Sequence, residues 1–407
     1  MKSNTVRPDR IERDIECIAA CNDSTPDLGY SRPTFSNAWA AARDYVIEEA
    51  LSVGAKSRID AAGNVHIRPD GRTWDEPLWL SGSHLDSVPS GGKFDGVSGV
   101  VMPLELFRAL PDPPLELVIF AEEEGTTFGM GLLGSRAWVG RVGCDDLARL
   151  TNRHGESYLE AGARYGVDAE RLETDRIDAS RYRGFLELHP EQGLRLWNEN
   201  RAVAAVGTIN GRRQYRIDVE GRGNHAGSTR MADRRDPLAA AASMIGRIES
   251  TGFDLSEECD YTVMTVGRIN VEPNAVNVIA SRVAFSVDFR SPEGELLEDG
   301  ENRLRLLLEQ ISSDRGLRTN IVREDDQPPA PLDADMVRRL ADAAESLGIR
   351  LPTVPSGALH DAAVVASCLP AAMLFVPSRD GISHHPDEFS RIGDIATAAR
   401  ITAAMIS

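Results

Sequence analysis

The sequence predicts an α/β fold, a mixed-sheet domain with helices on both faces, interrupted by an inserted α+β sandwich. Three observations lead there. Short, largely apolar runs bounded by turn residues read as strands buried on both faces of a sheet. They alternate with segments of helical spacing, the order that layers helices over a sheet. From about Gly207 the pattern changes to alternating, half-exposed strands, and buried α/β texture returns after residue 325. A chain of 407 residues has room for two large cores. The expected division is a first domain of residues 1–208 and 325–407 around an insert of residues 209–324.

In chain order, Arg10 to Ala20 and Thr34 to Ser52 carry apolar residues at helical spacing. Ala61 to Ile67 is a turn entering a strand, with His66 on an alternating face as a structural residue. Pro77-Leu78-Trp79-Leu80 reads as a short buried strand ending at Ser81, and Leu115 to Ala121 as the clearest strand, bounded by Pro113-Pro114. Gly143 to Arg183 reads as helices and loops, with His154 in a polar turn. A third apolar run begins at Phe185 and delivers His189 to its end. Within the insert, Tyr215 to Gly221, Tyr261 to Ile269, Arg282 to Arg290 and Arg318 to Arg323 read as strands. Asp236 to Ser250 reads as a helix with Asp236 at its N-cap and Pro237 at its first position, and Glu293 to Ser313 as a second. Strand–helix–strand–strand–helix–strand is the order of a small α+β sandwich. After an Asp325-to-Pro331 linker, helix Asp333 to Leu347, strand Ala371 to Val376 and helix Ile392 to Met405 complete the first domain.

The bulk numbers exclude some functions. A net charge of −18 argues against non-specific nucleic-acid binding and against attachment to an anionic membrane. Only Lys2, Lys56 and Lys93 are lysines, so the basic residues are nearly all arginine. Cys17, Cys21, Cys144, Cys259 and Cys368 are scattered and form no CxxC pair, which disfavours a disulfide framework or structural zinc and suggests a reducing compartment. The first residues lack the apolar centre of a signal peptide, and no apolar run approaches the ~18 residues of a membrane span. The location expected is cytoplasmic.

Chemistry concentrates at the ends of the apolar runs, where open α/β sheets gather their sites. In SGSHLDSVPSGGKFDGVSG, Ser81 to Gly99, His84 and Asp86 lie two apart and point the same way on an extended backbone. An imidazole with a nearby carboxylate suits a metal ligand and the acid that orients it. Asp95 offers a carboxylate able to bridge two cations, and Gly96 and Gly99 let a helix start close against it. The alternative is a Gly/Ser turn with a capping Asp. A phosphate-binding loop is excluded, because Phe94 follows Lys93. Glu122-Glu123-Glu124 ends the strand after Leu115 and is either a solvated acidic turn or a cation site, since close carboxylates raise each other's pKa. The histidines are His66, His84, His154, His189, His225, His360, His384 and His385. His84, His189 and His384 with Asp95 and Glu124 make a set of five, suited to zinc, manganese, nickel or cobalt, and enough for two ions with one shared carboxylate. Glu123 beside them is the natural general base.

GSHLDSVPSGGKFDG, EEEGTTFGMGLLGSR, ELHPEQG, GRGNHAGSTRM, EPNAVNV, DFR, SGALHDA and GISHHPDE follow one another from about residue 80 to 388. Together they resemble the dinuclear metal amidohydrolases related to aminoacylase and carboxypeptidase G. Within these they are most similar to the branch of N-carbamoyl-L-amino-acid hydrolases, allantoate amidohydrolases and β-ureidopropionases. The resemblance implies two divalent ions per subunit (zinc, manganese, cobalt or nickel), with His84, Asp95, Glu124, His189 and His384 as ligands and Asp95 bridging. It implies Glu123 as catalytic base, with Asp86 behind His84. The insert becomes a lid and dimerisation domain of a homodimer, whose His225 reaches the partner subunit's site to stabilise the oxyanion. Gln192 and Gly357 from the first domain, with Asn277 and Arg290 from the insert, would hold a small substrate, Arg290 clamping its carboxylate. The activity implied is hydrolysis of a linear amide or ureido C–N bond, foremost of an N-carbamoyl-L-amino acid to the amino acid, carbon dioxide and ammonia. Allantoate, N-carbamoyl-β-alanine and N-acyl amino acids are the alternatives. His385 beside His384, Leu359 in SGALHDA and Arg230 in HAGSTRM depart from the family pattern and leave the substrate open.

Overall fold

A computed structural model of the chain describes residues 5–25 and 28–407. The first four residues of the N-terminal stretch discussed above, Lys2 among them, lie outside the described residues. The chain forms two compact units: one runs up to Gly207 and continues in Leu332–Val354 and Leu359–Ser407, and the other comprises Thr208–Pro331 and Pro355–Ala358. The insert thus ends past residue 325, and Gly357, expected in the first domain, belongs to the second unit. No helix among the described residues is long and apolar enough to cross a membrane.

The first unit opens with α1 (Pro8–Ala20) and α2 (Asn37–Leu51), the latter capped by Ser36, whose side chain accepts the Trp39 N–H. Then come β1 (Ala55–Ile59), β2 (Val65–Pro69), β3 (Leu78–His84), α3 (Val97–Ala109) and β4 (Leu115–Phe120). Short helices α4 (Leu133–Trp138), α5 (Cys144–Arg149) and α6 (Tyr158–Gly162) precede β5 (Tyr182–Pro190), α7 (Arg195–Asn198) and β6 (Ala204–Ile209). The second unit holds β7 (Gly211–Glu220), β8 (Asn224–His225), α8 (Pro237–Glu258), β9 (Val263–Thr265), β10 (Ile269–Glu272), β11 (Val278–Ile279), β12 (Arg282–Ser291), α9 (Gly294–Arg315), β13 (Arg318–Gln327) and β14 (Ala330–Pro331). The chain closes with α10 (Ala334–Ser346), β15 (Thr353–Ser356), α11 (Asp361–Val365), β16 (Ala371–Val376) and α12 (Ile392–Ile406).

The main sheet is mixed, in the order β1-β2-β4-β3-β5-β16-β6, and its four central strands are parallel. Residues of β4 alternate between its faces. Leu115, Leu117 and Ile119 join the core that holds α1, α3 and α12, while Phe120 meets Trp138 of α4 and Phe185 on the other side. β3 does not stop at Ser81; it runs on through Ser81-Gly82-Ser83 to His84. Small residues signal a turn locally, but here they pair with Leu117, Val118 and Ile119, and a Cβ on Gly82 would lie 1.8 Å from the Val118 carbonyl.

In the second unit, β10-β12-β7-β13 form an antiparallel sheet with β9 also on β12. Val283, Phe285, Val287 and Phe289 of β12 are buried with Met244 and Ile248 of α8 and Leu304 and Leu308 of α9. Asp236 caps α8 as expected, accepting from Leu238 and Ala239, but the helix runs to Glu258. The expected strand over residues 261–269 is instead the separate β9 and β10. β13 continues into the acidic stretch read as a linker because Asp325 and Asp326 accept from Arg212 and Arg213 across the ladder, at 2.9 and 3.1 Å.

His66 is structural. Fully buried, it lies 2.7 Å from Glu116 and 3.2 Å from Asp60, and Arg68 donates to the other Glu116 oxygen. Burial opposes its charge, yet hydrogen bonds to Asp60 and Glu116 raise its pKa. A raised folded pKa stabilises the protein fully below the unfolded value of about 6.5, and that contribution fades as pH rises through the folded value. His66→Gln is therefore expected to cost about 1–3 kcal/mol in urea unfolding at pH 6, with the gap to the parent narrowing at high pH. A gap that widens with pH would contradict this assignment.

Candidate metal centre

Because β4, β3, β5 and β16 are adjacent and parallel, their carboxyl ends share one edge of the sheet. His84 is the last residue of β3, Glu122 to Glu124 follow β4, His189 is the next-to-last residue of β5, and His384 lies in the loop between β16 and α12. Gly96 heads α3 at φ +65°, and a Cβ there would sit 2.6 Å from the His84 ring. Gly92 is equally constrained, since its Cβ would meet the Glu388 carboxylate at 2.0 Å.

These elements assemble two groups able to hold a metal ion around one carboxylate: His84, Asp95 and His189, and Asp95, Glu124 and His384. Asp95 Oδ1 lies 3.0 Å from His189 Nε2 and 3.8 Å from His84 Nε2, and Asp95 Oδ2 lies 3.1 Å from His384 Nε2. His384 Nε2 is 3.7 Å from Glu124. His84 Nδ1 donates to the Asp86 carbonyl at 2.9 Å and His189 Nδ1 to the Pro190 carbonyl at 3.0 Å. A carbonyl only accepts, so each ring carries a proton on Nδ1 and has its Nε2 facing Asp95. Glu123 stands outside both groups, with a carboxylate oxygen 3.7 Å from His84 Nε2.

The electrostatics ask for a cation. Burial, then the neighbouring Glu124, pushes Glu123 well above the usual carboxylate range, and burial with Asp95 does the same to Glu124. Burial lowers His84 to about 4. Burial also opposes charge on the His189–Asp95 pair, but mutual attraction draws His189 up to about 9 and holds Asp95 well below its ordinary value. His84 Nε2 is buried without a hydrogen-bond partner. A lone pair with no donor, converging with carboxylates that repel one another, fits imidazole–carboxylate coordination of a divalent cation.

The geometry corrects one expectation and adds residues the sequence did not reveal. The carboxylate of Asp86 does not orient His84, being 3.8 Å from Nδ1; it accepts the Glu124 backbone N–H at 3.0 Å, and the Asp86 carbonyl serves His84 instead. Of the two adjacent histidines, His384 joins the cluster, while exposed His385 accepts from Asp387 N–H. Gln192 lies against Asp95, with Nε2 3.0 Å from Oδ2. Glu388, the last residue of GISHHPDE, accepts the N–H groups of Phe94 and Asp95 at 2.9 and 3.1 Å and the Ser383 hydroxyl at 2.8 Å. It ties the Asp95 turn to the His384 loop. His360 packs on the His189 ring, centroids 4.4 Å apart. Only their place in the short motifs GISHHPDE and SGALHDA hinted at either.

The remaining expected site residues lie in the second unit. His225 is in β8, paired with β11, and its Nδ1 accepts the N–H groups of Gly227 and Ser228 at 3.1 and 3.2 Å. Its proton therefore sits on Nε2. Exposed Asn277 reaches the same ribbon through its carbonyl, which accepts Ala226 N–H. Arg290 pairs with Asp288 at 2.7 Å and donates to the Gly357 carbonyl at 3.0 Å.

Comparison with known proteins gives a consistent picture. A family model, peptidase family M20/M25/M40, matches residues 80–407. The N-carbamoyl-L-amino-acid amidohydrolase of Paenarthrobacter aurescens is 33% identical over 98% of this chain and 98% of its own. The allantoate amidohydrolase of Bacillus subtilis is 34% identical over 95% of this chain and 94% of its own. Among solved structures, a hydantoinase/carbamoylase family amidase from Burkholderia multivorans superimposes with a TM-score of 0.90 at 32% identity, covering 99% of this chain and 98% of that one.

Glu388 offers a direct check of the loop tie. Glu388→Ala leaves two backbone N–H groups and the Ser383 hydroxyl without an acceptor, so metal affinity is expected to fall about tenfold or more. Glu388→Gln keeps an acceptor and is expected to stay near the parent. Titration of metal-free protein with manganese reads both, and equal affinities for Ala and parent would contradict the role.

Proposed function

The chain belongs to peptidase family M20/M25/M40, and on that premise we propose that it is a metal-dependent amidohydrolase converting an N-carbamoyl-L-amino acid to the L-amino acid, carbon dioxide and ammonia. The observation that carries this reading is Asp95, common to both ligand groups. His84 and His189 would hold one divalent cation, Glu124 and His384 a second, with Asp95 bridging. Such a pair, whether zinc, manganese, cobalt or nickel, supplies an acidified water and a polarised carbonyl.

The side chains divide the remaining work. Glu123, free of both groups, takes a proton from the attacking water and returns it to the departing nitrogen as the C–N bond breaks. His225 donates from Nε2 to the carbonyl oxygen as negative charge develops, a contribution of about 3–4 kcal/mol per donor. Arg290 pairs with the substrate carboxylate through its guanidinium fork. Asn277, Gln192 and Gly357 hold the other polar atoms, and Asp86 braces His84 and Glu124 through its backbone and its carboxylate.

The second unit acts as lid and dimerisation domain of a homodimer, with His225 serving the partner subunit's site. Val263, Ile269, Val276 and Val278 of this unit are exposed apolar residues that a second copy would cover. Five free cysteines favour a reducing, cytoplasmic setting. Allantoate is the second reading, favoured by the Bacillus subtilis relative.

The test is ammonia release by the metal-reconstituted enzyme on N-carbamoyl-L-amino acids, their D-forms, N-carbamoyl-β-alanine and allantoate, with amine release from N-acyl amino acids. Turnover of the L-carbamoyl series that chelator abolishes and metal restores is the expected result. In the same assay Glu123→Gln should keep its metal and lose about 10³-fold in kcat. Amine release from N-acyl amino acids without ammonia would overturn the substrate, and an active Glu123→Gln would remove Glu123 as base.

A further inference from the structure

Arg32 lies between α1 and α2 and is wholly buried. Its Nε donates to the Leu85 carbonyl at 2.8 Å, its backbone N–H to the Ser87 hydroxyl at 3.0 Å, and Ser87 N–H returns a bond to the Arg32 carbonyl at 3.3 Å. These three bonds bracket Asp86, the residue whose carbonyl orients His84 and whose carboxylate holds the Glu124 backbone. Yet Nη1 and Nη2 of Arg32 are buried without a hydrogen-bond partner. Burial works against the guanidinium charge, and the negative groups that favour it are the Cys21 thiol, Asp86, Asp95 and Glu388.

A buried, incompletely paired cation is costly, and a Met or Leu would fill the same volume without that cost. The Leu85 carbonyl and the negative charge of the neighbouring site offset that cost. We infer that Arg32 is a positioning residue of the metal centre: it clamps the Leu85–Ser87 turn and supplies a fixed positive charge behind the bridging carboxylate, so that one side chain steadies both ligand groups through Asp86. This rests on the dinuclear reading given under the proposed function. Arg32 acts through the Leu85–Ser87 turn it holds and through its buried charge.

The test compares Arg32→Met, Arg32→Gln and Arg32→Lys with the parent full-length protein. Metal-free samples are titrated with manganese, thermal midpoints are measured in chelator, and kcat and KM are measured separately. Arg32→Met and Arg32→Gln are expected to bind manganese about tenfold or more weakly and to lose kcat while KM changes little. Arg32→Lys, which keeps the charge and can still reach the Leu85 carbonyl, is expected to recover most of the affinity. If Arg32→Met does not fold, Arg32→Gln carries the same comparison. A folded uncharged variant with parental affinity, lowered only in its midpoint, would overturn the inference, as would a lysine variant no better than methionine. If the parent itself takes up no manganese or zinc, the dinuclear reading fails and this inference falls with it. Uptake by the parent, unchanged in the uncharged variants, overturns this inference alone.

Discussion

A single carboxylate, Asp95, stands within 3.8 Å of three imidazoles that come from the ends of two strands and from a separate loop. The arrangement depends on that convergence, because Asp95 lies on no strand and must be held from outside. Glu388 fixes its backbone, Gly96 lets the following helix start against the His84 ring, and Gly92 leaves room for the Glu388 carboxylate. Backbone groups do much of the remaining positioning: the carbonyls of Asp86 and Pro190 set the two ring tautomers, and the Glu124 N–H anchors to the Asp86 carboxylate.

The cluster is destabilising by itself. Asp86 is buried, Glu123 and Glu124 are largely so, and all three are raised above the usual carboxylate range, while burial with Asp95 moves Glu388 up to about 7. A hydrophobic core of the size built around α1, α3 and α12 can carry such a cost. Contrast the His66–Glu116–Arg68 group in the same sheet, where opposite charges meet directly. Acids there are matched by bases within the protein. At the strand ends they are left for something else to match.

Strand-end chemistry was legible in the sequence because apolar runs followed by His84, Glu122 to Glu124 and His189 repeat one polarity, and a parallel sheet brings such ends together. Alternation likewise announced β12, and Asp236-Pro237 announced α8. What failed to show was set by partners distant in sequence. Ser81-Gly82-Ser83 looks like a turn until β4 pairs with it, and the acids of 325–326 look like a linker until Arg212 and Arg213 meet them. Glu388 and Arg32 act across hundreds or tens of residues on backbone atoms, which leave no spacing pattern. The carbonyl of Asp86, in place of its side chain, could not be read from residue type at all.

His84 and His189 are buried on strands, whereas the His384 side chain is 49% exposed on a loop, so the two candidate groups differ in exposure. Asp95 is common to both. Metal content per chain, measured by elemental analysis after equilibration with zinc or manganese and removal of excess, tests it most directly. Two ions are predicted for the parent, one for His384→Ala and none retained tightly by Asp95→Asn. An Asp95→Asn protein that folds and still holds one ion as tightly as the parent would contradict the shared carboxylate.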